Sequence, residues 1–490
     1  MFRTLSALVP HQRGVPQRAH DQEVLRRVLD GTIYDGLALG FHDERNAAGE
    51  YVPLRSRRPA VQYNLCRLAV EDSVSFLFGE GRFPAVECAH KPTHETVAAI
   101  LKEAKVSEVF TEAAILGSVG SVAILFRVLR GRVFLSALAT QYLTPEYDPE
   151  APDTLARVIE EYPVQGQALR DAGYAVRDEH LSAWHWHRRE WTPAAEVWFV
   201  PQLQTDRDER KPQREDAART VRHGLGFVPL AWIRNLPGGN GVDGASTFRP
   251  AVEMAIEIDY QLSQGGRALK YAADPLLMIR EPAAAEGEEM VRSASNALVV
   301  SEKGDAKLVE INGTAADAVL EYCRHLRELA LESVHGNRSN ADKLGAAQSG
   351  RAMELLYAPL LNLVDKLRTS YGEGLLDIAR MVVAASRIYP LLLRKKSIPP
   401  LSDDDELTLR WPGFFQPTQQ DLQMEATTLG QLTGAGHMSQ ETALRRTAAS
   451  WDIPDVEAEA AKVAGDDAAR AREAQAMAAT KRSAMGQPTE

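Results

Sequence analysis

The sequence predicts an α+β protein. Long amphipathic helical patterns recur along the whole chain, while strand-type alternation concentrates between about residues 120 and 310. A helix, β insert, helix, polar loop, long helix unit runs from about Phe248 to Arg387, and the remaining elements read as a body around it.

Bulk properties bound the answer. A chain of 490 residues suffices for the cores of several domains. Hydrophobic residues make up 44% and charged residues 25%, as in soluble globular proteins. No apolar run reaches membrane-spanning length, so no membrane partner is expected. The N-terminal MFRTLSALVPHQRG lacks a signal-peptide core, which makes a cytoplasmic origin the expectation. Cys66, Cys88 and Cys323 are widely spaced, form no CxxC and suggest neither disulfides nor zinc. Lys and Arg number 56 against 67 Asp and Glu, a formal charge of −11. That balance argues against tight clamping of nucleic acid over a large surface, but not against a surface that nucleic acid slides past.

In chain order, HDQEVLRRVLDGTI predicts a helix. Pro59 to Glu80 predicts another, with Leu65, Leu68, Val74 and Leu77 near helical spacing and Gly79 and Gly81 ending it. THETVAAILKEAKVSEVFTEAAILG continues as helices, and SVAILFRVLRGRVFLSAL predicts a hairpin around Arg130-Gly131. QYLTPEYDP reads as proline punctuation. From Ala156 to Phe199 the chain reads as strands. Alternation over Ala183–His187 puts Trp184 and Trp186 on one face and His185 and His187 on the other. Two histidines at i and i+2 can share a metal; with no third ligand evident, a half-exposed strand is the better reading, and no metal site is assigned. Residues 202–223 are dense in charge and predict an exposed loop. FVPLAWI predicts a short buried strand. The glycine-rich Gly238–Gly244 segment resembles a phosphate cradle, but Ala245 and Ser246 follow where a P-loop requires Lys and then Ser or Thr. It reads as a flexible lead-in to a helix, and no cofactor is expected.

Two helical patterns, 248–273 and 314–335, flank the β insert at 274–313. In the second, Val319, Tyr322, Leu326 and Leu329 form a narrow apolar stripe opposite Asp317, Glu321, Arg324, Arg327, Glu328 and Glu332. In the first, Val252, Ile256 and Tyr260 do the same, and Gly265-Gly266 should weaken the helix locally. Both stripes suit one neighbouring helix, in the same chain or in an adjacent subunit. The third helix spans about forty residues, roughly 60 Å if straight. Its seam of Leu356, Leu360, Leu363 and Leu367 continues through Tyr371 and Ile378, and Pro359 predicts a kink. Such a helix either crosses a large domain or serves an assembly. The loop GNRSNADKLGAAQSG offers Arg338 and Lys343 among small polar residues and holds no catalytic set. LLRKKSIPPL reads as a basic linker, Leu407–Trp411 as a strand, and PTQQDLQMEATTLGQLTGAG as a helix. MSQETALRRTAASW reads as a capped helix beginning at Ser439. From Val456 onward the composition predicts partial helix fraying to disorder.

The order FVPLAWIRN, glycine-rich turn, VEMAIEIDYQLSQ, β insert, ESVHGNRSNADKLGAAQSGRAMELLYAPLL and WPGFFQPTQQDLQMEATTLGQLTGAGHMSQETALRR resembles the portal proteins of tailed bacteriophages, over roughly residues 60–455. The resemblance implies a ring subunit with an α/β wing, a two-helix stem, a small α/β clip, a long kinked wing helix and a helical crown. It assigns 1–247 and 351–416 to the wing, 248–273 and 314–335 to the stem helices and 274–313 to the clip. It also assigns 336–350 to a tunnel loop, 417–465 to the crown and 466–490 to a disordered tail. It implies a non-enzymatic virion component, typically in rings of twelve subunits, through which double-stranded DNA is packaged and ejected. The implied partners are the large terminase subunit, a head–tail adaptor, and the major capsid and scaffolding proteins. Arg338, Asn340 and Lys343 would face DNA, and Arg280, Glu288, Arg292 and Lys303 would serve docking at the clip. A nucleotide-binding enzyme using Gly238–Gly244 is the rival reading, and a non-viral oligomeric scaffold is a third.

Overall fold

The computed structural model describes residues 8–204, 212–273, 276–282, 300–309, 314–336, 350–402, 406–415, 419–448, 453 and 456–485. They fall into two compact units, Met1–Leu344 with Leu356–Pro412, and Gly345–Leu355 with Gly413–Glu490.

In the first unit α1 (Gln17–Asp30) ends at Gly31, whose φ of 74° suits glycine. Turns follow, then a strap over residues 51–63 with a 3-10 turn at Leu54–Ser56, and α2 (Leu65–Phe78) begins where the Asn64 side chain accepts the Arg67 N–H. The helix expected from Pro59 thus starts later. The N–H groups of Val61 and Tyr63 are instead bonded to Ser263 and Asp259, so those residues are held extended. Leu65, Val70, Val74 and Leu77 are buried, whereas Leu68, expected beside them, is 42% exposed.

Next come β1 (Ala85–Glu87), α3 (Lys91–Glu103), α4 (Val106–Gly117), β2 (Ser121–Leu129) and β3 (Arg132–Ala139). The predicted hairpin is present. Arg130 and Gly131 both take positive φ, 51° and 76°, as a two-residue primed turn requires to match strand twist. β4 (Leu143–Tyr147), β5 (Leu155–Gln165), α5 (Gly166–Asp171), β6 (Trp184–Trp191), β7 (Ala195–Trp198), β8 (Gln202–Leu203), β9 (Val221–Arg222) and β10 (Leu230–Arg234) follow. One antiparallel sheet has the order β4-β5-β6-β7-β9, with β8 also on β6; another is β10-β2-β3. QYLTPEYDP therefore contributes a strand, not only punctuation. Pro145 lies on edge strand β4, where a missing N–H is tolerated. Residues 212–223, expected as an exposed loop, are held down. Gln213 Nε2 donates to the Trp186 carbonyl, Arg219 lies 3.8 Å over Tyr174, and β9 pairs with β7.

Trp191, Leu125, Leu143, Val158 and Leu230 form one buried cluster drawn from both sheets. Arg189 stacks on Trp191 and Trp198 and pairs with Glu160 and Glu196, and Arg127 of β2 reaches the same Glu196 at 3.0 Å. The two sheets therefore share an apolar core and an ionic seam.

α6 (Val252–Ala273), β11 (Leu276–Pro282), β12 (Val300–Val309) and α7 (Thr314–Ser333) form the helix–hairpin–helix unit, and α8 (Gly350–Ile388) follows. Along α8, Leu360, Leu363, Leu367, Tyr371 and Ile378 are all buried, so this seam crosses the first unit as core. Small residues make the crossings possible. A Cβ at Gly374 would strike Ile233 of β10, and one at Gly117 would strike the Tyr371 hydroxyl. After α8, β13 (Leu392–Leu393) and β14 (Lys396–Ser397) make a tight hairpin with Arg394 and Lys395 at positive φ, where a linker was expected. β15 (Thr408–Arg410) pairs with β1.

The second unit contains α9 (Gln419–Gly434), α10 (Gln440–Thr447) and α11 (Val456–Met485). Ser439 caps α10 as expected, its hydroxyl accepting the Thr442 N–H. α11 runs to Met485, well past residue 466 where disorder was expected, because its Ala, Glu, Lys and Arg residues are strong helix formers. No helix among the described residues is long and apolar enough to cross a membrane.

Candidate functional site

The site is the helix–hairpin–helix unit and its mounting on the first unit. α6 is prepared by Ser246, whose hydroxyl accepts the N–H groups of Phe248 and Arg249 ahead of a 3-10 turn at Arg249–Ala251. Its first half is a core helix, broader in its burial than the narrow stripe predicted: Val252, Ala255, Ile258, Asp259, Tyr260 and Ser263 are buried. The strap fastens to it. Tyr260 Oη donates to the carbonyls of Arg55 and Arg57, and Asp259 accepts the Tyr34 hydroxyl at 3.0 Å and the Tyr63 N–H at 2.8 Å. Burial pushes the Asp259 carboxyl up to about 6, against the lowering effect of those two donors.

α6 continues through Gly265-Gly266 to Ala273. Gly265 brings the helix onto α7, where a Cβ would lie 3.2 Å from Val319 Cγ1. The neighbouring Gly266 faces open space. Only part of the predicted apolar stripe on α7 turns inward: Val319 meets Gly265, and Leu326 is half-buried. Ala316, Cys323, Ala330, Leu331 and Val334 are buried, while Tyr322 and Leu329 are 46% and 41% exposed. The covered face is centred on Ala316, Cys323, Ala330 and Val334, about 60° around the helix from Val319, so the far edge of the predicted stripe turns to solvent. Asp317, Glu321, Glu328 and Glu332 are exposed along the rest of α7, with Arg324 paired to Glu321. Past the end of α7 at Ser333 the chain turns at His335, φ 53°, and the Gly336 N–H bonds back to the Leu331 carbonyl.

Among the predicted site residues, Arg338, Asn340 and Lys343 lie outside the described residues, as do Glu288 and Arg292. Arg280 stands on β11 opposite Asp305, and Lys303 stands on β12. Pro359 stands inside α8.

The Gly238–Gly244 segment does not cradle a phosphate, nor is it a loose lead-in. Asn240 Oδ1 accepts the Val242 and Asp243 N–H groups, and the Gly244 and Ala245 N–H groups bond to Gly120 and Leu236 carbonyls. The Asp243 carboxylate fills the turn, held by Arg18 at 2.6 and 2.7 Å, Ser121 at 2.5 Å and Asn240 at 3.2 Å. Burial opposes its ionisation, but these donors keep it below the usual carboxylate range. The N–H groups of Asn240 and of residues 242–245 are bonded within the chain, and the Asp243 carboxylate would repel a phosphate there. Asn235 at the end of this loop bonds Ala245, Thr247 and Tyr371, joining the loop to α8. Sequence reasoning missed this network because each polar residue looked solvated by itself. The strand at His185 and His187 is likewise more buried than expected. Both histidines are buried, and burial, aided by Arg189 and Arg219, lowers His187 to about 4. Among the described residues no three His, Cys, Asp or Glu side chains come together as a metal site.

Comparison with known proteins follows from this geometry. No curated protein sequence matches the chain. Among solved structures, a chain from the neck of an empty GTA particle computed with C6 symmetry is 11% identical, covering 90% of this chain and 97% of that one, with a TM-score of 0.41. A chain from the neck of a native GTA particle computed with C12 symmetry is 12% identical over 79% of this chain and 94% of that one, TM-score 0.39. A chain from the virion of a native gene transfer agent (GTA) particle is 13% identical over 89% and 94%, TM-score 0.38. Residues 120–479, well over half of the sequence, match the model of the phage portal protein family, SPP1 Gp6-like, and the chain belongs to that family.

Proposed function

We propose that this portal-family chain assembles into a closed ring, of twelve copies by the family's habit, that forms the channel for double-stranded DNA at one capsid vertex. The observation that carries the proposal is the family match across residues 120–479, which includes the whole helix–hairpin–helix unit. The portal family is structural, and the chain acts as a conduit rather than as a catalyst. In this reading α6 and α7 are the stem, and 274–313 is the clip that meets the terminase and later the head–tail adaptor. Arg280, Glu288, Arg292 and Lys303 supply docking charges there. The segment 336–350 lines the tunnel, where Arg338, Asn340 and Lys343 touch phosphate intermittently. Residues 417–465 form the crown, and Pro359 marks the bend of the wing helix. The ring belongs to the virion and is assembled in the host cytoplasm with capsid and scaffolding proteins. A net charge of −11 per copy supports passage over retention, since few counterions are displaced from the DNA.

Negative-stain microscopy of the purified protein should show rings with a central hole; a strictly monomeric particle under all conditions sinks the proposal. Within a ring-forming protein, Arg338→Glu with Lys343→Glu should leave assembly intact and reduce packaging or retention of DNA. Unchanged packaging would remove the loop's charge from the mechanism.

A further inference from the structure

We propose that the ring closes through a contact between unlike surfaces: the outer face of α7 in one copy packs against the strap at 51–62 of the next. This rests on the ring reading above and names the surfaces that make it. On α7, Ala318, Tyr322, His325 and Leu329 recur at i, i+4, i+7 and i+11, and all are exposed. They form a stripe that α6 leaves uncovered. Beside it runs an acidic ridge that includes Glu321 and Glu328. The strap has the matching character. Its sequence YVPLRSRRPAVQ carries three arginines and no acid, with Tyr51 67% and Val61 41% exposed and Arg55 and Arg58 exposed between them. The Arg55 side chain pairs with Glu257 at 3.0 Å, a solvent-facing and therefore weak kind of contact.

The two surfaces face away from each other. The inner side of the strap is fastened to Asp259, Tyr260 and Ser263 of α6, and its end reaches α7 through Arg327 and the Tyr63 hydroxyl at 3.1 Å. At about 100° per residue, Arg327 lies roughly 140–160° around α7 from Tyr322 and Leu329, so the apolar stripe is on the far side from the strap. Two complementary, unlike patches on opposite sides of one layer pair head to tail, and such a contact closes into a ring when its rotation closes. An exposed tyrosine on each patch, with opposite charges beside it, matches the composition of specific interfaces. Each copy carries one of each patch, so only a second copy of the chain satisfies both.

Two full-length variants test this, Glu321→Arg with Glu328→Arg, and Arg55→Glu with Arg58→Glu. Each alone should lower the ring fraction, read by microscopy and light scattering, at least tenfold at unchanged helical content and melting temperature. Mixing the two should restore rings, because the basic α7 of one meets the acidic strap of the other. If wild-type protein forms rings and both variants do so equally well, or the mixture restores nothing, this contact is wrong and the ring reading stands. If wild-type protein forms no ring at all, both fall.

Discussion

Asp259 is a single buried carboxyl joining three parts of the chain: Tyr34, the strap at Tyr63 and the stem helix α6. Its folded-state value of about 6 lies above the ordinary 3.8. The folded state therefore favours the protonated form, and the stability this provides is complete below about pH 4 and lost as the pH rises through 6. Asp259→Asn should remove that slope. Its stability relative to wild type, read from thermal melts, should rise between pH 4 and pH 6.5 and level off above, by an amount on the order of 2–3 kcal/mol. A difference constant from pH 4 to pH 7 would show that the carboxyl is not strained by burial. No sequence pattern announced this residue. In EIDYQ it reads as one more acid on an amphipathic helix, and its burial follows from the strap folding over it.

Elements meet where side chains are small enough. Gly374 of α8 faces Ile233 of β10, Gly265 of α6 faces Val319, and Gly266 faces nothing. Gly374→Ala should cost about 1–3 kcal/mol, since the Cβ must displace a packed isoleucine. Gly266→Ala should instead stabilise by roughly 0.5–1 kcal/mol through helix propensity. Thermal melts of the two variants decide it, and equal shifts would overturn the assignment of the crossings. Helices at 17–30, 91–117, 252–273, 314–333 and 419–447 were legible in the sequence because periodicity and caps are local. So was the Arg130-Gly131 turn, whose glycine marks positive φ. Which face of α7 is covered was not legible. Leu326 and Leu329 are stronger hydrophobes than Ala316 and Ala330, so hydrophobicity alone sets the stripe to one side of the covered face.

At the scale of the whole molecule the formal charge of −11 per copy governs how an assembled ring treats DNA. Titrated with duplex DNA near physiological salt, the assembled protein should bind no more tightly than about micromolar, with a shallow salt dependence reflecting few phosphate contacts. Nanomolar affinity with a steep salt slope would mark a clamp instead of a conduit. The six-stranded sheet and its link to β10-β2-β3 also belong to this scale. Arg189, Glu196 and Arg127 were three scattered charges in the sequence, and the strand order β4-β5-β6-β7-β9 turns them into a seam.

By itself the sequence determined the α+β class, the helix–hairpin–helix succession ahead of a long helix, and the family. These rest on local periodicity, turn chemistry and the succession of segments, which survive without knowledge of long-range contacts. Only the tertiary structure decided that Gly238–Gly244 is closed by its own Asp243, that the seam of α8 is core, and that Tyr322 and Leu329 face outward. In each case the deciding partner lies far away in sequence: Arg18 for Asp243, Ile233 and Asn235 for α8, Gly265 for α7. Burial is set by which distant groups compete for the same space, and pattern within a segment carries no record of that competition.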